Sequence, residues 1–125
     1  MILALRERIY KKCYSDKELL DLVTGIYFQV PPNTKFPYIY IGDFHSKNIS
    51  TKDQHIEEVN FKIVIYLRDK SDKLLLIISN KIKNILSCDS YNLLYFKELE
   101  INSQNDGLTK QVIISFRALE FTNDL

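Results

Sequence analysis

Residues 59–68 read VNFKIVIYLR, and this stretch decides the fold. Val59, Phe61, Ile63, Ile65 and Leu67 stand two apart, separated by Asn60, Lys62, Tyr66 and Arg68, with Val64 the one apolar exception. Side chains alternate across a strand, so this period turns one set to a core and the other to water. The reading is a half-buried strand. Residues 69–72 form a polar turn in which Ser71 or Asp72 is placed to cap a helix. The period then changes. Over residues 73–87, Leu74, Leu75, Ile78, Ile82, Ile85 and Leu86 make an apolar stripe at helical spacing, while Lys73, Asn80, Lys81, Lys83 and Asn84 fall on the other side. A one-sided strand followed by an amphipathic helix is the seed of a sheet with helices on one face.

Working toward the C-terminus, residues 89–92 read as a turn and 93–101 as a strand. The polar tip 102–107 contains the hairpin signal Asp106-Gly107, and 110–121 is the last strand. Toward the N-terminus, residues 43–57 (DFHSKNISTKDQHIE) are polar and show no sustained period, which reads as a long loop. Residues 37–41 form a strand that opens on Pro37 and stops at Gly42, and Pro31-Pro32-Asn33 is a turn. Residues 26–30 are a short strand. Ser15-Asp16-Lys17-Glu18 matches a capping box with Ser15 at the N-cap, opening a short helix over 17–23 that stops at Thr24-Gly25. Leu3, Leu5, Ile9 and Tyr10 set a first amphipathic helix over 2–13. The expected order is α-α-β-β-β-α-β-β. It is one α+β domain over 1–125, two-layered, with a mostly antiparallel sheet and helices packed on one face.

Composition excludes several classes. Of 125 residues, 46 % are hydrophobic and 26 % charged, which is globular rather than disordered. Lys+Arg is 17 against 16 for Asp+Glu, too balanced for a general nucleic-acid binder. The longest apolar runs, 63–67 and 74–78, are far short of a bilayer, and the start MILALRERIYKK reads as neither signal peptide nor anchor, so no membrane partner is expected. Cys13 and Cys88 share no metal or redox spacing and fit reduced thiols.

Chemistry is sparse. The three glycines, Gly25, Gly42 and Gly107, are too far apart for any phosphate-binding loop. Asp43, His45, Asp53, His55 and Glu57 fall within one polar segment, and Asp53, His55 and Glu57 would share one side of an extended chain. His45, Asp53, His55 and Glu57 therefore define an alternative reading, a small metal-dependent hydrolase or nuclease. The competing reading, a solvated loop, expects no metal and no cofactor. Charge is uneven along the chain. Arg6, Arg8, Lys11 and Lys12 face only Glu7 in the first twelve residues. Glu98, Glu100, Asp106, Glu120 and Asp124 outnumber Lys110 and Arg117 at the other end. Opposite signs at opposite ends suit head-to-tail contact between copies, and equally pairing within the chain. Tyr27, Phe28, Phe36, Tyr38 and Tyr40 cluster around the first two strands as core or interface aromatics.

The ordered segments carry a family resemblance. Gly25-Ile26-Tyr27, Val30-Pro31-Pro32, Phe36-Pro37-Tyr38-Ile39-Tyr40-Ile41-Gly42, the helix ending Ile82 to Leu86, and the hairpin pieces Asp106-Gly107-Leu108-Thr109 and Phe116-Arg117-Ala118-Leu119 follow one another over about residues 3–121. In this the chain resembles the tail-completion (tail terminator, head–tail joining) proteins of long-tailed phages and gene transfer agents. It departs from them in having Tyr66 where they place a tryptophan. The resemblance implies a structural protein of the virion tail, not an enzyme, assembled in the host cytoplasm. It implies a homo-oligomer, usually a hexameric ring, at the head-proximal end of the tail. The implied partners are the major tail tube protein and the head–tail connector or stopper, with passing contact to DNA in the lumen. The candidate interface residues are then the charged sets above: Arg6, Arg8, Lys11 and Lys12; Asp43, His45, Asp53, His55 and Glu57; Glu98, Glu100 and Asp106.

Overall fold

The computed structural model describes residues 2–69, 71–87 and 93–122. Their order is α1 (Ile2–Tyr14), α2 (Lys17–Leu22), β1 (Ile26–Tyr27), β2 (Tyr38–Asn48), β3 (His55–Arg68), α3 (Lys73–Ser87), β4 (Leu93–Ser103) and β5 (Thr109–Thr122). Class and element order are as the sequence reads: an α+β fold with one mostly antiparallel five-stranded sheet, β1-β2-β3-β5-β4.

The alternation in β3 governs the packing. Val59, Phe61, Ile63, Ile65 and Leu67 are all at most 1 % exposed and meet Leu5, Ile9, Cys13 and Leu19 of the first two helices and Leu75, Ile78, Ile82 and Leu86 of α3. Each such side chain contributes roughly 1.5–3 kcal/mol on leaving water. A ring stack crosses the sheet at one level: Phe44 on Phe61 at 5.3 Å, Phe61 on Phe116 at 5.4 Å, and Phe96 edge-on to Phe116 at 6.2 Å. Polar ties dock the helices. Lys81 of α3 donates to Glu18 at 2.6 Å and lies 3.6 Å from Asp16. The Lys110 ammonium of β5 pairs with Asp72 at the start of α3. Burial pushes the Cys13 thiol up to about 12, as expected for an inert core residue; Cys88 and the turn 89–92 lie outside the described residues.

Several boundaries differ from the sequence reading, each for a physical reason. The N-cap of α2 is Asp16, not Ser15: its carboxylate accepts from the Leu19 amide at 2.9 Å, while the Ser15 hydroxyl donates back to the Lys11 carbonyl. The helix ends at Leu22 because Val23 is already extended, so Gly25 is not a left-handed cap. β1 keeps only Ile26 and Tyr27 of the expected 26–30, and it pairs parallel to β2, because the proline-containing 31–37 stretch carries the chain back to the same end of the sheet. At the start of α3 the Asp72 carbonyl accepts the first helical bond, from the Leu76 amide at 3.0 Å, and the Ser71 hydroxyl just ahead of it accepts from the Lys73 amide at 3.1 Å.

The largest correction concerns residues 43–57. They are not a long loop. β2 does not stop at Gly42 but runs on to Asn48, β3 begins at His55, and the true loop is 49–54. One extra residue between Gly42 and His45 makes a β-bulge, with Asp43 at φ 55°. The bulge shifts the alternation by one, and the hairpin beyond it projects past the helices, so polar residues occupy both of its faces. That is why no period was visible.

Replacing Phe61 by Ala removes the middle of the ring stack and should lower unfolding free energy by about 3–5 kcal/mol. Leu3→Ala, at a residue 64 % exposed, should change it by less than about 0.5 kcal/mol. Urea titration followed by far-UV circular dichroism measures both.

Candidate functional site

The helices cover one face of the sheet. The other carries the second half of each alternation: Tyr38, Tyr40, His45 and Lys47 of β2, then Glu58, Asn60, Lys62, Val64 and Tyr66 of β3. Gln111, Ile113, Ser115 and Arg117 of β5 and Glu98, Glu100 and Asn102 of β4 continue the same rows.

One end of this face is aromatic. Tyr38 stacks on Tyr66 at 4.9 Å and lies 5.5 Å from Phe36, and Tyr27 meets Tyr38 edge-on at 6.4 Å. The Gln111 amide donates to the Tyr66 hydroxyl at 3.2 Å. Two glycines make room for this layer. A Cβ on Gly25 would sit 2.3 Å from the Tyr27 hydroxyl, and one on Gly42 would sit 2.1 Å from that of Tyr40. The Gly25-Ile26-Tyr27 and Tyr40-Ile41-Gly42 steps thus do the same thing: each tyrosine ring lies flat along its own strand over a bare backbone.

The other end is polar. The Glu58 carboxylate accepts from the Asn60 amide at 3.0 Å and from Arg117 Nε at 2.8 Å, with Lys47 at 3.7 Å. These contacts, the Asn60 hydrogen bond foremost, hold its pKa below the ordinary carboxylate value against the effect of burial. Asn60 in turn accepts from Lys97 at 3.1 Å. Lys97 sits in a second bulge, between Phe96 and Glu98, level with the one in β2. Between the two bulges lies an open concavity of about 470 Å³ lined by Asp43, His45, Lys62, Lys97, Glu98 and Ser115 among others.

The candidate residues are dispersed over this frame. His45 stands beside Asn60 on the helix-free face. His55 and Glu57 share the helix-side row with Val59, and Glu57 accepts from the Ser46 hydroxyl at 2.5 Å. His45 is also five residues along the strand from His55, or about 17 Å. Asp53 is exposed in the hairpin tip. The four proposed ligands are not brought together, and no group of three or more His, Cys, Asp or Glu among the described residues is placed to hold a metal. On α1, the Arg6 guanidinium lies 4.3 Å over the Phe28 ring and 5.7 Å from that of Phe44, so it packs as well as carries charge; Arg8 and Lys12 are half-buried and Lys11 is exposed. Glu98 and Glu100 are exposed on β4, the edge strand. Asp106 works inside the chain. Its carboxylate accepts from the Thr109 hydroxyl at 2.6 Å and from the Thr109 and Leu108 amides, with Arg68 at 3.7 Å, and its pKa falls to about 2. Sequence reasoning missed the Glu58–Asn60–Arg117 network. Its only signal was three polar residues at strand positions turned away from the core row, and it needed the strand order to be seen.

These features define a class: a small α+β subunit that presents a laid-out sheet face and free strand edges. The class is matched by the comparisons. The family described as tail completion protein gp17 matches residues 7–120, and the chain belongs to it, a family of structural proteins of the virion tail. A chain in the virion of a native gene transfer agent particle shares the fold at TM-score 0.78 and 18 % identity, over 91 % of this chain and 92 % of that one. The bacteriophage SPP1 gp17 protein shares it at TM-score 0.66 and 20 % identity, over 98 % and 92 %. No curated protein sequence matches this chain.

Two outcomes are expected. First, the Asp106 contacts stabilise the hairpin only while the carboxyl is ionised. Because its folded pKa is lowered, that contribution is full above the ordinary carboxylate value and fades as pH falls from near 4 toward about 2. Asp106→Ala should therefore melt below the parent at pH 7, with the gap closing in melts taken toward pH 2. Second, zinc or manganese at neutral pH should leave the melting temperature unchanged, and His55→Ala should behave as the parent does; a metal-dependent rise lost in His55→Ala would restore the hydrolase reading.

Proposed function

We propose that this chain is the subunit of a homo-oligomeric ring that caps the head-proximal end of a tail tube and joins it to the connector on the capsid. The observation that carries the reading is the family match over residues 7–120, nearly the whole fold. The two solved relatives, one of them seated in a virion, have the same fold over almost their full length. The surface supports the reading as well. A sheet with one helix-free face and an eleven-residue edge strand is built for contact with other chains. The candidate interface divides along the molecule: the basic helix α1 with Arg6, Arg8, Lys11 and Lys12 on one side, Glu98 and Glu100 on the other, and the projecting hairpin with Asp53 at its tip between tube and connector. In this arrangement the ring ends tube growth by covering the last layer of tube subunits, and it works by contact area and charge without making or breaking a bond.

The test is tube assembly in the presence of the protein. With the cognate tail tube protein, addition of the chain should shorten tubes as its ratio to tube protein rises, and electron micrographs should show density at one end only. Decoration along the tube walls, or lengths that ignore the protein, would remove the capping role.

A further inference from the structure

We infer that copies of this chain join edge to edge, the β4 edge of one adding antiparallel to the free β2 edge of the next. The contact sets Glu98 against Lys47 and Glu100 against His45. The inference rests on the ring reading above and names the junction that closes the ring.

Both edges are open among the described residues. β4 ends the sheet, paired only with β5. At the other end β1 covers β2 only at Ile39 and Tyr40, so the stretch from Phe44 to Lys47 has β3 on one side and no strand on the other. The strand senses then fix the pairing. β3 runs against β2, β5 against β3, and β4 against β5, so β4 runs opposite to β2. Rotation about an axis near the strand direction carries one copy onto the next and keeps every sense. The junction is therefore antiparallel, the better-bonded arrangement.

Register follows from faces and charges. His45 and Lys47 lie on the helix-free face, as do Glu98 and Glu100; Phe44 and Ser46 lie on the helix side, as do Leu99 and Ile101. A one-residue slip would put the two sets on opposite faces. Among the registers that keep faces together, one sets Glu98 beside Lys47, Leu99 beside Ser46, Glu100 beside His45 and Ile101 beside Phe44. It makes one opposite-charge contact, Glu98 with Lys47, and sets the Glu100 carboxylate where an imidazole N–H of His45 can donate to it. It also lays Ile101, 45 % exposed in the single chain, against a partly buried phenylalanine ring. A two-residue shift one way brings Glu100 against Asp43. The shift the other way leaves Glu98 beside Ile49 and Ile101 beside Ser46. Lys47, with 57 % of its side chain exposed, is free to reach outward as well as to Glu58.

Cysteines read this junction directly. In a Cys88→Ser background, the full chain carrying Ser46→Cys and Leu99→Cys should form inter-chain disulfides under mild oxidation, giving a ladder on a non-reducing gel. Ser46→Cys with Asn102→Cys, on opposite faces, should not. Adding Glu98→Lys and Glu100→Lys to the linking variant, both at exposed positions, should lower the yield by about tenfold, with the circular dichroism spectrum unchanged. Light scattering on the unsubstituted protein separates the two readings. Oligomers without the 46–99 link would leave the ring standing and overturn this junction. Linking by Leu99→Cys alone would replace it with a two-fold β4 contact. No oligomer and no link would overturn both.

Discussion

β3 hydrogen-bonds to β2 along one side and to β5 along the other, over nearly all of its fourteen residues. Its odd-numbered side chains from Val59 to Leu67 form the floor on which all three helices rest. The placement of every surface described above follows from it. Because the odd row is apolar, the helices gather on that side. Because the even row is Glu58, Asn60, Lys62, Val64 and Tyr66, the far side is left to build its own cover from stacked tyrosines at one end and a bonded charge network at the other. The sheet is closed at neither edge, since β1 is two residues long and nothing described lies beyond β4.

How much of this is legible in the sequence depends on whether a residue's fate is decided locally. α3 and the core half of β3 were read within a residue or two, because burial on one side imposes a period that the chain itself displays. Residues 43–57 were misread because the hairpin they form projects beyond the helices. Neither face is buried there, so selection for alternation is absent, and the bulge at Asp43 breaks what phase remains. The parallel pairing of β1 was equally hidden. Two residues carry no period, and the direction of their partner depends on how the proline-containing connection folds back. The capping error at α2 is smaller and of the same kind: Ser15 and Asp16 are both good N-caps, and the choice between them is made by where α1 ends.

The charged residues were legible as charges and not as contacts. Arg6 was read as a candidate interface charge, and the fold lays it over Phe28. Asp106 was read as a candidate interface acid, and in the fold its exposed carboxylate accepts from Leu108 and Thr109 of its own β4–β5 turn. Those two roles are local, yet each needed a ring or an amide from a neighbouring segment to be visible. His45 and His55 look close in sequence, but they stand on different strands of a hairpin whose register pairs His45 with Asn60 and so sets the two histidines on opposite faces. Spacing along a chain predicts shared chemistry only where the backbone keeps one phase, and here it does not.

An open edge strand is a hazard unless it prefers one partner. β4 is long, and Tyr95, Phe96 and Ile101 on it are each 44–45 % exposed, so its apolar content alone would favour pairing with itself. Its charges oppose that. In a two-fold antiparallel β4 pair that keeps both acids in the contact, Glu98 of one copy faces Glu100 of the other, and the reverse contact repeats it, so two like-charge pairs form together. The bulge at Lys97 further limits a straight self-pair to the residues beyond it. The β2 edge has the opposite character: Lys47 repels a like copy and accepts an acid, and His45 beside it offers an N–H to the next one. Each edge is therefore a poor match for itself and a good match for the other. That asymmetry selects head-to-tail addition over two-fold pairing, and head-to-tail addition is the only kind that closes a ring of more than two copies.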